Sequence, residues 1–242
     1  AVNMLFTVSR ILLAHVLWGA IYRGRSEVGG FSLNQMMSYY VLCAFIAQLD
    51  MSAATGYQIA SRIRGGTFSA VMVMPVNALG YFSAHTLGTS AFYLSFNLLA
   101  AAVWTALFRI RLALVIDPAA ALGALALIGL GLMFMMQLSF FLGILAFRFT
   151  DVWMFMMIKD NLVQLAIGAL LPLMLLPGWL VAAMRALPFY YVSYLPAMAL
   201  MGRLWEEIPL GIVLLIAWNA AFLLINRFAY GRLRVRYDGV GA

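Results

Sequence analysis

The sequence predicts an all-α integral membrane protein that forms one transmembrane domain over residues 1–242. Hydrophobic residues make up 66% of the chain and charged residues 10%, whereas a soluble globular protein is about half apolar and about a quarter charged. The apolar residues fall into long stretches, near the ~20 residues that a membrane-spanning helix needs. Short polar loops separate these stretches, which predicts six spans with both termini on the same side of the membrane.

The chain has a formal charge of +7, from fourteen arginines and one lysine against eight acidic residues. Because the arginines lie mainly in short loops next to apolar stretches, they suit lipid headgroups. A nucleic-acid interface would need a basic face with base-stacking aromatic residues outside the membrane, so no nucleic-acid partner is expected. The single cysteine, Cys43, excludes an intrachain disulfide and a CxxC-type metal site, and no metal site is predicted.

The first predicted span, about 1–22, reaches the required length only if Arg10 is included. A charge near the middle of a bilayer costs at least about 2.5–3.5 kcal/mol and usually faces protein or a water-filled cavity with a partner. Arg10 is therefore expected to pair inside the protein. The alternative is a shorter span in which Arg10 reaches the headgroups from the first turn.

The second predicted span, about 35–56, contains Asp50. Counting ~1.5 Å per residue from the outer ends of the two spans places Arg10 about 18 Å deep and Asp50 about 22 Å deep. We therefore hypothesise an intramembrane ion pair between Arg10 and Asp50 that ties the first two spans together. In the competing interpretation, Asp50 lies near the inner surface and forms an ion pair with Arg62 or Arg64.

A polar stretch that begins at residue 57 interrupts the apolar pattern. Residues 57–68 are predicted to form a short amphipathic helix at the membrane surface, with its apolar side chains near helical spacing. Gly65 and Gly66 are expected to end this helix, because glycine readily takes the left-handed geometry of a helix stop. Thr67 is expected to cap the element that follows, and Pro75 ends a further short apolar piece.

The third and fourth spans are predicted at about 79–104 and 119–147, and residues 148–160 are predicted to form a second inner loop. The fourth span is rich in glycine and alanine, and small residues allow helices to approach closely. This span is therefore a candidate packing or dimer surface.

The fifth span is predicted at about 161–183, and the following residues, 184–203, are too interrupted to form another simple span. Proline removes a backbone donor and clashes with the preceding helical turn, so carbonyl groups there need partners within the protein. Irregular backbone at that depth fits a transport pathway or a moving joint. The prolines that break these residues are Pro172, Pro177, Pro188 and Pro196.

The sixth span is predicted at about 207–228 and is followed by a basic tail. If the side that holds both termini is the cytoplasm, inner segments carry eight basic residues and outer segments carry six. An excess of basic residues marks cytoplasmic loops, and a difference this small gives little information on orientation.

Three groups of residues together resemble the permease subunits of type-2 ABC exporters, a six-span family. The resemblance covers nearly the whole chain and departs mainly at the start, where the family's amino-terminal amphipathic segment is missing or clipped. The resembling residues are Ile63-x-x-Gly66-Thr67-Phe68 with Pro75-Val76; Gly168-x-x-Leu171-Pro172-Leu173, Pro177, Leu187-Pro188-Phe189, Tyr194-x-Pro196 and Gly202; and Arg236–Gly241.

The resemblance implies a cytoplasmic coupling helix between spans two and three, at residues 57–68, that docks on a separate ATP-binding subunit. It also implies short helices that re-enter from the outer face before the last span. Permeases of this family are similar in working as pairs, identical or related, with two ATP-binding subunits in the cytoplasmic membrane of prokaryotes. The residues then expected to contact the ATP-binding subunit are Arg62, Ile63, Arg64, Gly65, Gly66, Thr67 and Phe68.

The sequence contains no motif for catalysis. It lacks GxxxxGK[ST], so ATP and Mg²⁺ are expected to bind the partner subunit, and no cofactor is expected on this chain. It also lacks the clustered acid, base or metal-ligating residues of an intramembrane enzyme. The predicted function is export of an unidentified cargo, an amphiphile among the candidates. The alternative is an ion- or proton-coupled secondary transporter that uses Arg10, Asp50 and the broken fifth span.

Overall fold

The computed structural model describes residues 13, 15–107, 113–115, 117–149, 151–167 and 173–237. Within these ranges the chain is helical and has no β-strand beyond a single bridge between Val28 and Phe31, which confirms the all-α class. The α-helices are α1 (15–21), α2 (Leu33–Leu49), α3 (Ser52–Arg64), α4 (Ser69–Met72), α5 (Ala78–Leu107), α6 (Pro118–Ile144), α7 (Trp153–Ile167), α8 (Gly178–Arg185), α9 (Leu195–Leu200) and α10 (Ile208–Leu233).

Two helical segments among the described residues are long and apolar enough to cross a membrane, Pro118–Phe147 and Trp205–Leu233. Along α10 no charged side chain occurs between Glu207 and Arg227. At ~1.5 Å per residue this part of the helix is about 28 Å long, close to the ~30 Å of a bilayer's hydrocarbon layer. The length and composition of α10 therefore suit one full crossing, while crossing by all six predicted spans stays a prediction.

Buried side chains form two apolar cores. The larger, which we call the upper core, surrounds residues 189–201 and includes one side of α2 and the first halves of α6 and α10. The smaller, which we call the base, gathers the ends of α3 and α6 around the start of α5. The buried members of the base are Ile59, Ile63, Phe68, Val71, Ala78, Phe82, Met136, Phe140 and Ile144.

The helices alternate in direction between these two cores. Helices α2, α6 and α10 begin in the upper core, and α6 and α10 end at the base, where Ile144 and Tyr230 pack. Helix α5 runs the opposite way: Ala78 lies in the base, and beyond the helix the Val115 N–H donates to the Leu200 carbonyl (3.1 Å). The turn before α5 and the end of α10 therefore lie at the same end of the molecule.

The sequence predicts that the second span continues to about residue 56, but in the structure the helix is interrupted earlier. Helix α2 ends at Leu49, and α3 already begins at Ser52. The Asp50 carboxylate accepts a hydrogen bond from the Ser52 N–H (2.9 Å), and aspartate favours such local bonds at helix starts over a continuous helix. The boundary is thus set by Asp50 and not by the change in hydropathy.

Helix α3 packs alongside the second half of α6 and does not lie flat as a separate surface helix. The hydroxyl oxygens of Ser52 and Ser139 are 3.0 Å apart, and a Cβ on Gly143 would lie 2.9 Å from the Gly56 carbonyl oxygen. Both pairs keep the same offset along the chain, so the two helices run parallel. Their close approach depends on glycine, as small residues between helices allow.

Residues 153–160, which the sequence places in an inner loop, form the first half of α7. The Asp151 carboxylate accepts a hydrogen bond from the Trp153 N–H (2.8 Å) at the helix start. The polar residues that suggested a loop therefore include the cap of a helix. The prediction of a loop over these residues is wrong for that reason.

Glycines of α6 serve packing within this chain. A Cβ on Gly123 would lie 2.7 Å from Ile208, and one on Gly131 would lie 3.1 Å from Val192. With Gly143 against α3, these positions bring α6 close to three neighbouring segments. At Gly123, Gly131 and Gly143, the small side of α6 is therefore a packing surface within this chain.

Candidate functional site

Helix α3 ends at two glycines, as the sequence predicts. The Gly65 N–H donates to the Ser61 carbonyl (2.9 Å), and Gly66 has a φ of 72°. Glycine takes this left-handed geometry without the Cβ clash that other residues suffer. The chain reverses here, and residues 65–77 lead back to α5 through the short helix α4; we call residues 65–77 the base turn.

Thr67 caps the helix before it and not the element after it, so that prediction is wrong. Its hydroxyl donates to the Arg62 carbonyl (3.4 Å), which lies in the last turn of α3, where carbonyls lack intrahelical partners. Helix α4 begins without a side-chain cap. The Ser69 hydroxyl donates back to the Gly66 carbonyl (3.2 Å). Because the chain reverses at Gly66, the hydroxyls of Thr67 and Ser69 both bond to carbonyls that precede them in the sequence.

Phe68 is fully buried at the centre of the base. Its ring centroid lies 5.3–6.4 Å from four other aromatic rings, in stacked or edge-to-face arrangements that aromatic pairs prefer. These rings belong to the start of α5, the 3-10 turn that continues α6, α10, and the residue after the 3-10 turn that continues α10. Phe68 therefore joins the base turn to three long helices. The four rings are those of Phe82, Phe147, Tyr230 and Tyr237.

Two residues predicted to contact an ATP-binding subunit lie inside this chain. Phe68 is completely inaccessible and Ile63 is 5% exposed, so neither side chain is available to a partner. The sequence shows both as apolar residues in a polar stretch, a pattern that fits a docking surface and an internal anchor equally well. Both side chains pack inside the base in this chain, and their contact with an ATP-binding subunit stays a prediction.

The exposed part of the base turn has an apolar tip at residues 73–76. Val73 is 83% exposed and Val76 is 53% exposed, with Met74 and Pro75 between them. In the sequence Pro75 marks the end of an apolar piece and Pro75-Val76 forms part of a motif, and neither pattern predicts this surface. Of the other predicted contact residues, Arg64, Gly65 and Thr67 are exposed, and Arg62 and Gly66 are half-buried.

A buried polar cluster joins the base to α7. The Lys159 side chain is 3% exposed, and its ammonium donates to the Ser139 hydroxyl (3.2 Å) and lies 3.1 Å from the Asp160 carboxylate. Ser139 in turn lies 3.0 Å from the Ser52 hydroxyl of α3. A buried charge is tolerated when it is paired and hydrogen-bonded. The cluster therefore connects α3, α6 and α7 at one level.

Arg10 lies outside the described residues, so its pair with Asp50 stays a prediction. Asp50 lines a cavity of about 40 Å³ together with Ser193 and apolar side chains. Within the described part of the chain, no ion pair joins Asp50 to Arg62 or Arg64. Asp50 thus lies between the two cores, at the break between α2 and α3.

The prolines of the late region begin or reshape helices. Pro172 lies outside the described residues, Pro177 immediately precedes α8, and Pro188 begins a continuous helix over 188–200. In that helix residues 190–194 form a π turn, in which the Leu195 N–H donates to the Tyr190 carbonyl. Pro196 has no N–H for an ordinary helical bond, and the wider turn accommodates it.

The helix over 188–200 is buried and is fastened by a polar cluster at the upper end, which we call the upper clasp. The Glu207 carboxylate accepts hydrogen bonds from the Arg185 guanidinium (2.7 Å) and the Tyr190 hydroxyl (3.0 Å). The Tyr191 hydroxyl donates to the Arg185 carbonyl (2.8 Å). The upper clasp joins α8, this helix and the start of α10, and no sequence pattern predicts it.

Among the described residues no group of three or more histidine, cysteine, aspartate or glutamate side chains could hold a metal ion. A family model described as ABC-2 family transporter protein matches residues 8–241. Comparison with curated proteins and with solved structures gives no match.

Proposed function

Because this chain belongs to the ABC-2 family of transporter proteins, whose members are generally non-catalytic transmembrane subunits of ABC transporters that associate with an ATP-binding subunit, we propose that it is the permease subunit of an ATP-driven exporter. The base turn is the element that receives force from the ATP-binding subunit, and the base faces the cytoplasm. The observation that carries this proposal is the contrast within the base turn between exposed Val73–Val76 and fully buried Phe68.

The exposed tip supplies the contact surface. Apolar side chains on a polar surface mark a docking site when they form a continuous patch, and residues 73–76 are consecutive and exposed. The exposed Arg64 and the half-buried Arg62 lie in the last turn of α3, directly before the base turn. They add charged contacts at the edge of the docking surface. Together they replace Ile63 and Phe68 as the residues through which the partner is recognised.

The buried anchor supplies the transmission. A displacement of residues 73–76 moves Phe68, because only a few residues separate them and α4 bridges that interval. Phe68 packs on rings from α5, α6 and α10, so the displacement reaches three spans at once. Interiors are close-packed and transmit displacement instead of absorbing it. Helix α3, packed along α6 through Gly56 and Gly143, reinforces the same joint.

The upper end closes the cargo path on the outer side. The helix over 188–200 is buried among α2, α6 and α10 and carries non-standard backbone, which membrane proteins tolerate where it is enclosed in protein or lines a cavity. We assign this helix as the re-entrant element of the exporter. Two such chains, identical or related, pair above two ATP-binding subunits in the cell membrane, and the ATP-binding subunits bind ATP and Mg²⁺.

Co-purification tests the proposal. The chain is expressed with a candidate ATP-binding subunit from the same genome. Val73→Glu/Val76→Glu is compared with Val115→Glu, which places one charge of the same sign on an exposed valine at the opposite end. The base-turn variant is expected to insert into the membrane but to lose the ATP-binding subunit, and the control is expected to keep it.

Retention of the ATP-binding subunit by Val73→Glu/Val76→Glu contradicts docking at the base turn. A chain that purifies alone and transports cargo on an ion gradient without ATP contradicts the exporter and supports the secondary-transporter alternative.

A further inference from the structure

The residues after α10 return to the base turn. Helix α10 ends at Leu233, Arg234–Arg236 form a 3-10 turn, and Tyr237 then points into the base. Its hydroxyl accepts a hydrogen bond from the Phe68 N–H (3.2 Å), which is shared with the Arg62 carbonyl (3.0 Å). In the sequence Arg236–Gly241 forms part of the family resemblance, and no pattern there predicts a role for Tyr237.

Tyr237 also packs its ring in the base. The ring centroid lies 6.4 Å from that of Phe68 and 5.4 Å from that of Phe147, with interplanar angles of 82° and 78°. Both are edge-to-face arrangements, which fix the relative orientation of two rings more closely than a general apolar contact does. Tyr237 therefore contacts the base turn and the 3-10 turn that continues α6, and one 3-10 turn connects it to α10.

We propose that Tyr237 is a positioning residue that locks the base turn to the end of α10, so that the segment after the last span is part of the force-receiving element. This inference rests on the proposed function. Tyr237 acts through Phe68: it holds the orientation of the buried ring and of the backbone from which residues 73–76 project.

The connection to α10 gives the lock a consequence at the other end of the molecule. Helix α10 is a continuous helix over Ile208–Leu233, and Glu207 at its start belongs to the upper clasp. A force that enters at Phe68 and passes through Tyr237 therefore reaches the buried helix over 188–200 along one rigid element. Without Tyr237, α10 keeps the contact of Tyr230 with Phe68 (6.4 Å) but loses the hydrogen bond.

The experiment compares Tyr237→Ala, Tyr237→Phe and Phe228→Ala. Phe228 is the matched control, because it is an aromatic residue near the end of α10 that is 64% exposed and lies outside the base. Hydrogen exchange of the peptide that covers residues 65–74 is measured on the permease alone in lipid nanodiscs. Co-purification of the ATP-binding subunit and the ATPase activity of the assembled complex are measured beside it.

Tyr237→Ala is expected to speed exchange over residues 65–74 and to lower the ATPase activity of the complex about fivefold, within the range of energetic coupling between sites. It is expected to keep the ATP-binding subunit bound. Tyr237→Phe, which keeps the ring, is expected to restore at least half of the lost activity, and Phe228→Ala is expected to match the unmodified chain in every measurement.

Unchanged exchange over residues 65–74 in Tyr237→Ala overturns the lock, whatever the ATPase result. Faster exchange with unchanged ATPase activity shows a merely structural contact and overturns the positioning role. If the unmodified chain binds no ATP-binding subunit, the proposed function fails, and the exchange measurement still decides whether Tyr237 holds the base turn.

Discussion

The base and the upper end bury irregular segments by different means. At the base, Phe68 is surrounded by aromatic rings that come from three long helices and the tail. At the upper end, the helix over 188–200 is fastened by bonds that converge on one carboxylate, that of Glu207. Ring packing resists displacement gradually and in all directions, whereas a hydrogen-bonded ion pair is either made or broken.

The difference fits the two separate tasks that the proposed function gives these regions. A joint that receives force must stay assembled through the transport cycle, and a closely packed aromatic cluster does so. A barrier on the cargo path must open and close between two defined states, and a few directional polar bonds allow that. The following variants separate the two regions, beginning with the largest expected effect.

Phe68→Ala removes the central ring of the base and is expected to lower the free energy of unfolding by about 3–5 kcal/mol, because it leaves a cavity among rings that cannot close it. Reversible unfolding in mixed micelles measures the loss. Phe228→Ala, an exposed aromatic on α10, is the control and is expected to cost much less. Equal losses for the two variants would mean that the base is not a packed core.

Glu207→Ala is expected to lower the free energy of unfolding by about 1.5–3 kcal/mol, the usual contribution of hydrogen bonds to a charged group. Its effect on local opening is expected only at the upper end. Hydrogen exchange over residues 188–200 should increase, while exchange over the base turn stays unchanged. Glu206→Ala, at the exposed neighbouring position, is the matched control. An increase that spreads to the base turn would show that the local stability of the base also depends on the upper clasp.

Thr55→Val tests the polar contact that joins α3 to α5 just above the base. The hydroxyl oxygens of Thr55 and Thr86 are 2.7 Å apart and buried. The variant is therefore expected to lower the free energy of unfolding by about 1 kcal/mol. Thr89→Val is the control, since the Thr89 hydroxyl is exposed and donates within its own helix to the His85 carbonyl (2.9 Å). If the control costs as much, the interhelical contact contributes nothing of its own.

Arg62→Glu/Arg64→Glu is expected to have the smallest effect on the free energy of unfolding, about 0.3–1 kcal/mol for each position, because it reverses basic charges that favour the helix dipole in the last turn of α3. The variant is expected to co-purify less of the ATP-binding subunit than the unmodified chain does. The difference should be larger at low salt, because salt screens interactions between exposed charges. Membrane insertion should be normal. Binding that is unchanged at low salt would remove these arginines from the contact surface.

The sequence predicted the features that depend on neighbouring residues. The end of α3 at Gly65 and Gly66 follows from glycine geometry, and the helix starts near Pro177 and Pro188 follow from proline chemistry. At Pro196 the predicted break is absent, because the helix continues there through a π turn. The all-α class follows from long apolar stretches. These properties are set within a few residues, so they can be recognised before any tertiary contact is known.

The features that the sequence did not predict depend on contacts between distant residues. Phe68 is buried by rings from as far along the chain as Tyr237, and the sequence gives no sign of that contact. The upper clasp joins Arg185 to Glu207, two charges that look like ordinary loop residues. Asp50 was assigned from depth along an assumed continuous helix, whereas a local hydrogen bond to Ser52 divides that helix.

The buried position of Lys159 determines how this protein can be studied chemically. It is the only lysine in the sequence, and its side chain is 3% exposed. Amine-directed cross-linkers and labels therefore find no lysine on the folded surface, and a partner must be captured through carboxylates or introduced cysteines. Acylation of Lys159, when it does occur, becomes a reporter for separation of α7 from α6.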